Sequence, residues 1–163
     1  MKTEPLVCMT HRDEVQNSSP LPDGQSDTFA WVFGNPGKGV ALSNTRLRAA
    51  DLRDAQRQSG NIPIEDRRAT PLLLEIEVLI DTTAREARRE LARLQGAGTT
   101  EPLGTRRFSS YPRPMRYIGT VQGLSGLIQD ICAVGIADGV VLIPLSPHPT
   151  EKLIMTEVAE LIA

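Results

Sequence analysis

Tyr117-Ile118-Gly119-Thr120, an apolar-periodic run, and then Gly135-Ile136-Ala137-Asp138-Gly139-Val140-Val141-Leu142-Ile143-Pro144 form the stretch on which the fold turns. Thr120 reads as a helix N-cap, its hydroxyl taking one of the backbone N–H groups that a first helical turn leaves unpaired. Val121, Leu124, Leu127, Ile128 and Ile131 follow at helical spacing and make one apolar stripe. Gly135 stops the helix, since a helix commonly ends in a left-handed residue, which glycine adopts without steric cost. Val140 to Ile143 is an uninterrupted apolar run, the pattern of a strand buried on both faces of a parallel sheet.

Outward from this unit, strands and helices alternate. Pro5 to Met9 is a short apolar strand, and Thr10 to Asp27 is a loop rich in turn formers (Asn17-Ser18-Ser19-Pro20, Pro22-Asp23-Gly24). Thr28 to Phe33 is a β-prone second strand; Ser43 or Asn44 caps a helix reaching Ser59, with Gly60-Asn61 as its stop. Leu72 to Ile80 is the third strand. Thr83-Ala84-Arg85-Glu86 is a capping box, opening a helix with Ala84, Ala87, Leu91 and Leu94 on its apolar side. Gly96 to Arg116 reads as a long connection, and Leu153 to Ile162 as a terminal amphipathic helix. The expected fold class is α/β, a single domain over residues 1–163 with about four parallel βα units joined by right-handed crossovers.

Composition sets outer bounds. The net charge of −2 gives no reason to expect a nucleic acid or an anionic membrane as partner. No apolar run reaches the roughly 18 residues of a membrane span, and the first residues lack a signal-peptide core, so a cytoplasmic location is expected. Cys8 and Cys132 lie in different apolar segments and read as buried free thiols, with a disulfide as the alternative.

The Thr120–Pro144 unit closely resembles the last αβ unit of the luciferase-like flavin monooxygenases, where a G-T-P-type turn, a helix and an A-D-G-hydrophobic strand close a TIM barrel. It looks most like the branch of nitrilotriacetate and dibenzothiophene-sulfone monooxygenases. Val121 stands where that family usually has proline. Working backwards, Thr83 to Leu94 resembles the T-x-x-E-A helix after barrel strand seven, Asp27 to Phe33 the H-A-D-x-V-F strand six, and Pro5 to Met9 strand five. The resemblance therefore covers nearly the whole chain but only the C-terminal half of the family domain. A whole barrel takes about 250 residues; this chain has 163. The expectation is a partial (β/α)8 TIM-type barrel.

The resemblance implies a flavin-dependent monooxygenase. It would use reduced FMN from a separate flavin reductase, with O2, on a small organic substrate. The alternative is a catalytically incomplete half-barrel serving as an assembly or ligand-binding module. Either reading implies a homo-oligomer or a second chain completing the barrel. In the family, the loop after strand five supplies small residues and a serine that let the backbone approach the flavin's phosphate end. Here the candidates for that role are Thr10, Arg12, Ser18 and Ser19: Arg12 offers charge, and Ser18 and Ser19 offer hydroxyls. The positions matching the family's G-S-S are His11-Arg12-Asp13.

Other segments carry weaker chemistry. Gly34-Asn35-Pro36-Gly37-Lys38-Gly39 is either an anion cradle or a tight turn, and it lacks the Ser or Thr of a Walker A loop. Asp81 and Thr82 are helix-start residues. Ser146 and His148 follow the last strand, but nothing supplies the acid of a triad, and two distant histidines make no metal motif. The run from Arg106 to Arg116 is either a phosphate-contacting loop or a solvated connector. Finally, Leu74, Ile76, Val78 and Ile80 share one strand face and Leu73, Glu75, Glu77 and Leu79 the other. Two carboxylates there require a face open to water, arginines of a partner, or the lining of a polar active site.

Overall fold

A computed structural model describes residues 5–10, 30–33, 46–96 and 114–162. The chain runs β1 (Leu6–Met9), β2 (Ala30–Phe33), β3 (Arg46–Leu47), α1 (Leu52–Gly60), α2 (Ile64–Ala69) and β4 (Leu73–Ile80). It continues with α3 (Ala84–Gly96), β5 (Met115–Gly119), α4 (Val121–Ala133) and β6 (Gly139–Pro144). A kinked segment, Pro147–Glu151, in which His148 is extended, and a π-helical turn, Ile154–Val158, lead into α5 (Ala159–Ile162). The architecture is α/β, with a parallel-strand sheet curled into a half-barrel.

The deciding stretch folds as its residues dictate. The Thr120 side chain accepts the Gly123 N–H at the start of α4. At its end the Ile136 N–H donates to the Ile131 carbonyl and the Gly135 N–H to that of Cys132, with Gly135 at φ +71°. That is a Schellman ending, and the buried Ile131 and Ile136 belong to one core cluster as the motif requires. Val121, Leu124, Ile128 and Ile131 are buried against the sheet, and Leu127 is half-buried. Every residue of β6 is buried, and β6 pairs in parallel with β1 on one side and β4 on the other.

Asp138 and Gly139 explain why β6 sits in the middle. The Asp138 carbonyl accepts the Leu6 N–H, its own N–H donates to the Leu72 carbonyl, and its carboxylate accepts the Leu72 N–H at 2.9 Å. One residue thus ties the entry of β6 to both neighbours. A Cβ on Gly139 would lie 2.0 Å from the Leu6 carbonyl oxygen, so only glycine admits β1 this close.

Several expectations are corrected. Among the described residues the sheet has six strands in the order β2-β1-β6-β4-β3, with β5 also on β4, rather than about four. β2 runs antiparallel to β1, with a bulge between Val7 and Cys8, so the second strand is not part of a parallel βα unit. A period-two pattern specifies a face, not a direction. The helix ending at Gly60 starts at Leu52, capped by the Asp51 side chain on the Asp54 N–H, and does not reach back to the expected cap at Ser43 or Asn44, which lie outside the described residues. Arg46 and Leu47 are drawn into extended pairing with β4 instead. Met115 and Arg116 belong to β5, so the long connection ends before them.

The two faces of the sheet differ. One carries the main core: Val7, Met9, Leu74, Ile76, Val140 and Leu142 pack with α4 and with Ile154, Val158 and Ile162 of the C-terminal helical run. The other carries a small cluster of Cys8, Leu73 and Val141, and beside it the charged residues of β4.

Candidate functional site

In barrel-type sheets chemistry collects at the C-terminal strand ends. Here those ends are tied together by hydrogen bonds. The Thr10 N–H donates to the Leu142 carbonyl, the Leu145 N–H to Val78, and the Asp81 N–H to Gly119. The fully buried Thr150 hydroxyl accepts the Ile80 N–H at 3.2 Å and donates to the Ile80 carbonyl at 3.1 Å, closing the end of β4 as a missing strand partner would. The Asp81 carboxylate accepts the Thr82 N–H, and Thr83 and Glu86 exchange the capping contacts that open α3. Hydrogen bonds from the Thr82 and Thr83 hydroxyls hold the Glu86 carboxyl below its ordinary range. Asp81 and Thr82 are thus helix-start residues, as expected. The Ser146 hydroxyl donates to the His148 backbone carbonyl at 2.7 Å, while the His148 residue is exposed. Ser146 is therefore not presented to an imidazole base, and the pair does not make a hydrolytic site.

The charged face of β4 answers the question its sequence raised. Glu75 is 3% exposed. The Arg48 Nε donates to its Oε2 at 2.6 Å, and the Arg46 Nη1 lies 3.5 Å from its Oε1. Arg116 donates from Nε (3.0 Å) and Nη2 (2.6 Å) to one oxygen of the half-buried Glu77. Arginine pairing, from this same chain, is the solution adopted. A carboxylate buried like Glu75 and stripped of its partners would cost about 3–5 kcal/mol. The sequence did carry a signal for these partners: Arg46-x-Arg48 repeats with the same period of two as Glu75-x-Glu77.

Across the sheet from Glu75, Cys8 pairs in register with Val141 and is fully buried. Burial pushes its thiol up to about 12, opposed by the Arg46 charge and reinforced by that of Glu75. Burial likewise raises Cys132 to about 11, with Asp138 adding to the shift. Both cysteines are free, as expected, but only Cys8 is buried, Cys132 being half-buried; the raised values favour the neutral thiol in both.

Of the four residues proposed to approach a flavin, Thr10 is placed, buried at the end of β1. Arg12, Ser18 and Ser19 lie outside the described residues, as do His11, the Gly34–Gly39 turn and Arg106 to Arg113. On the charged face, Arg48 and Arg116 direct their nitrogens at Glu75 and Glu77. No family model and no curated protein matches this chain. Among the described residues no helix is long and apolar enough to cross a membrane.

Proposed function

We propose that this chain is a half-barrel module of the luciferase-like flavin monooxygenase type, supplying the closing strands of a barrel that holds flavin firmly only when completed. The observation that supports the reading is the Thr120–Pro144 unit. The residues that carry the resemblance are the ones that cap α4, end it, and seat β6 between its neighbours. In the completed form, reduced FMN from a separate reductase supplies the chemistry, transfer of one oxygen atom from O2 to a small organic substrate. This chain contributes a wall, with Thr10 at a strand end and Arg12, Ser18 and Ser19 as the further candidates that the resemblance implies. A second reading is a non-catalytic assembly or ligand-binding module. The pairing of Glu75 and Glu77 with arginines of the same chain favours it, because that face is satisfied without a ligand.

Titration of the purified chain with oxidised and with reduced FMN, followed by flavin fluorescence and absorbance, separates the readings. The proposed one predicts weak, saturable binding that Arg12→Gln diminishes. No response at any concentration establishes the non-catalytic module. A tight stoichiometric complex contradicts the incomplete cradle.

A further inference from the structure

We propose that Glu75 and Glu77, with Arg46, Arg48 and Arg116, form an electrostatic latch holding two short strands in line on one edge of β4, and that opening its Glu75 arm detaches β3 alone. The register carries the argument. β3 pairs with Leu73 and Leu74, and β5 pairs with Ile76 through Ile80 along the same edge. Glu75 falls in the break between them, paired in register with neither. Continuing the β5 register back one step sets Pro114 beside Glu75, and proline has no N–H to bridge the gap.

The two strands are held unequally. Among the described residues β5 has five register pairs with β4, and β3 has two. A two-residue ladder offers few backbone bonds, so other contacts must hold it. Arg46 and Arg48, on either side of the buried Leu47, reach the same carboxylate, which lies deep enough to need them. Leu47 and Ala49 in the core and the bond from the Gln58 side chain to the Arg48 carbonyl add to the hold on this segment. With the Glu75 arm open, the N-terminal part of the β4 edge is bared, and a bare strand edge accepts another strand. The latch is then the control point for adding a strand to this sheet.

Native-state hydrogen exchange on the full chain tests the latch. Arg48→Gln is expected to raise exchange in the peptide spanning Arg46 to Ala49 about tenfold, the loss of one charge-assisted hydrogen bond. Peptides covering β5 and β6 stay as protected as in the wild type. If Arg48→Gln does not fold, Arg48→Lys keeps the charge, loses the fork, and gives a smaller rise in the same peptide. Leu47→Ala separates packing from charge: it keeps the wild type's rise of β3 exchange with salt on top of a constant increment, whereas Arg48→Gln diminishes that salt dependence. Unchanged exchange at Arg46 to Ala49, or a rise shared by all strands, overturns the proposal.

Discussion

Gly139 and Asp138 show how much of this fold rests on single residues. An alanine at position 139 would put its Cβ 2.0 Å from the Leu6 carbonyl oxygen and 2.7 Å from its carbon, both backbone atoms that move only if β1 moves. Gly139→Ala should therefore cost about 1–3 kcal/mol or more, the range for overpacking. Asp138→Ala, which removes the acceptor for the Leu72 N–H, should cost about 1–3 kcal/mol. Urea denaturation of both variants checks these values, and an unperturbed midpoint in Gly139→Ala would show that β1 does not sit where described. The A-D-G sequence was legible as the start of a buried strand. Its reason was not, because the close approach involves Leu6, which lies far away in the chain.

The elements that were readable are those whose signals are local. For α4, cap, apolar stripe and glycine stop all lie within the same short stretch, and each is found in place. Its glycines make opposite predictions. Gly126 has open space at its Cβ position within the helix, so Gly126→Ala should stabilise by about 0.5–1 kcal/mol through helix propensity. Gly135 is left-handed at φ +71°, so Gly135→Ala should destabilise by about 1–2 kcal/mol. Thermal melts of the two variants moving in opposite directions confirm the cap, and shifts of the same sign count against it. β3 and β5 were not legible. Met115 to Gly119 follows Pro112 and Pro114, whose punctuation reads as a connector, and Arg46-Leu47 is too short for any periodicity. Both are strands because β4 offers an edge and Glu75 and Glu77 offer charges, which is tertiary information.

At the scale of the molecule, sequence pattern conveys which residues face a core but not which strands are neighbours. β6 lies between β1 and β4, and β2 runs antiparallel, through contacts that pair residues far apart along the chain. Of the candidate site, arginine pairing of Glu75 and Glu77 was one of three expected solutions, but the arginines were expected from a partner; Arg46, Arg48 and Arg116 of this chain were not singled out for it. The flavin candidates were drawn from family resemblance, and Thr10 alone falls on a described strand end. Among the described residues the sheet ends in two edges, β2 on one side and β3 with β5 on the other, where a closed barrel has none, and sheet edges are normally covered. The sheet should therefore be covered by a second copy or another polypeptide. Light scattering of the 163-residue chain at micromolar concentration, with a parallel thermal melt, measures this most directly. The account predicts a mass of at least two chains, whereas a single cooperatively folding monomer would contradict it.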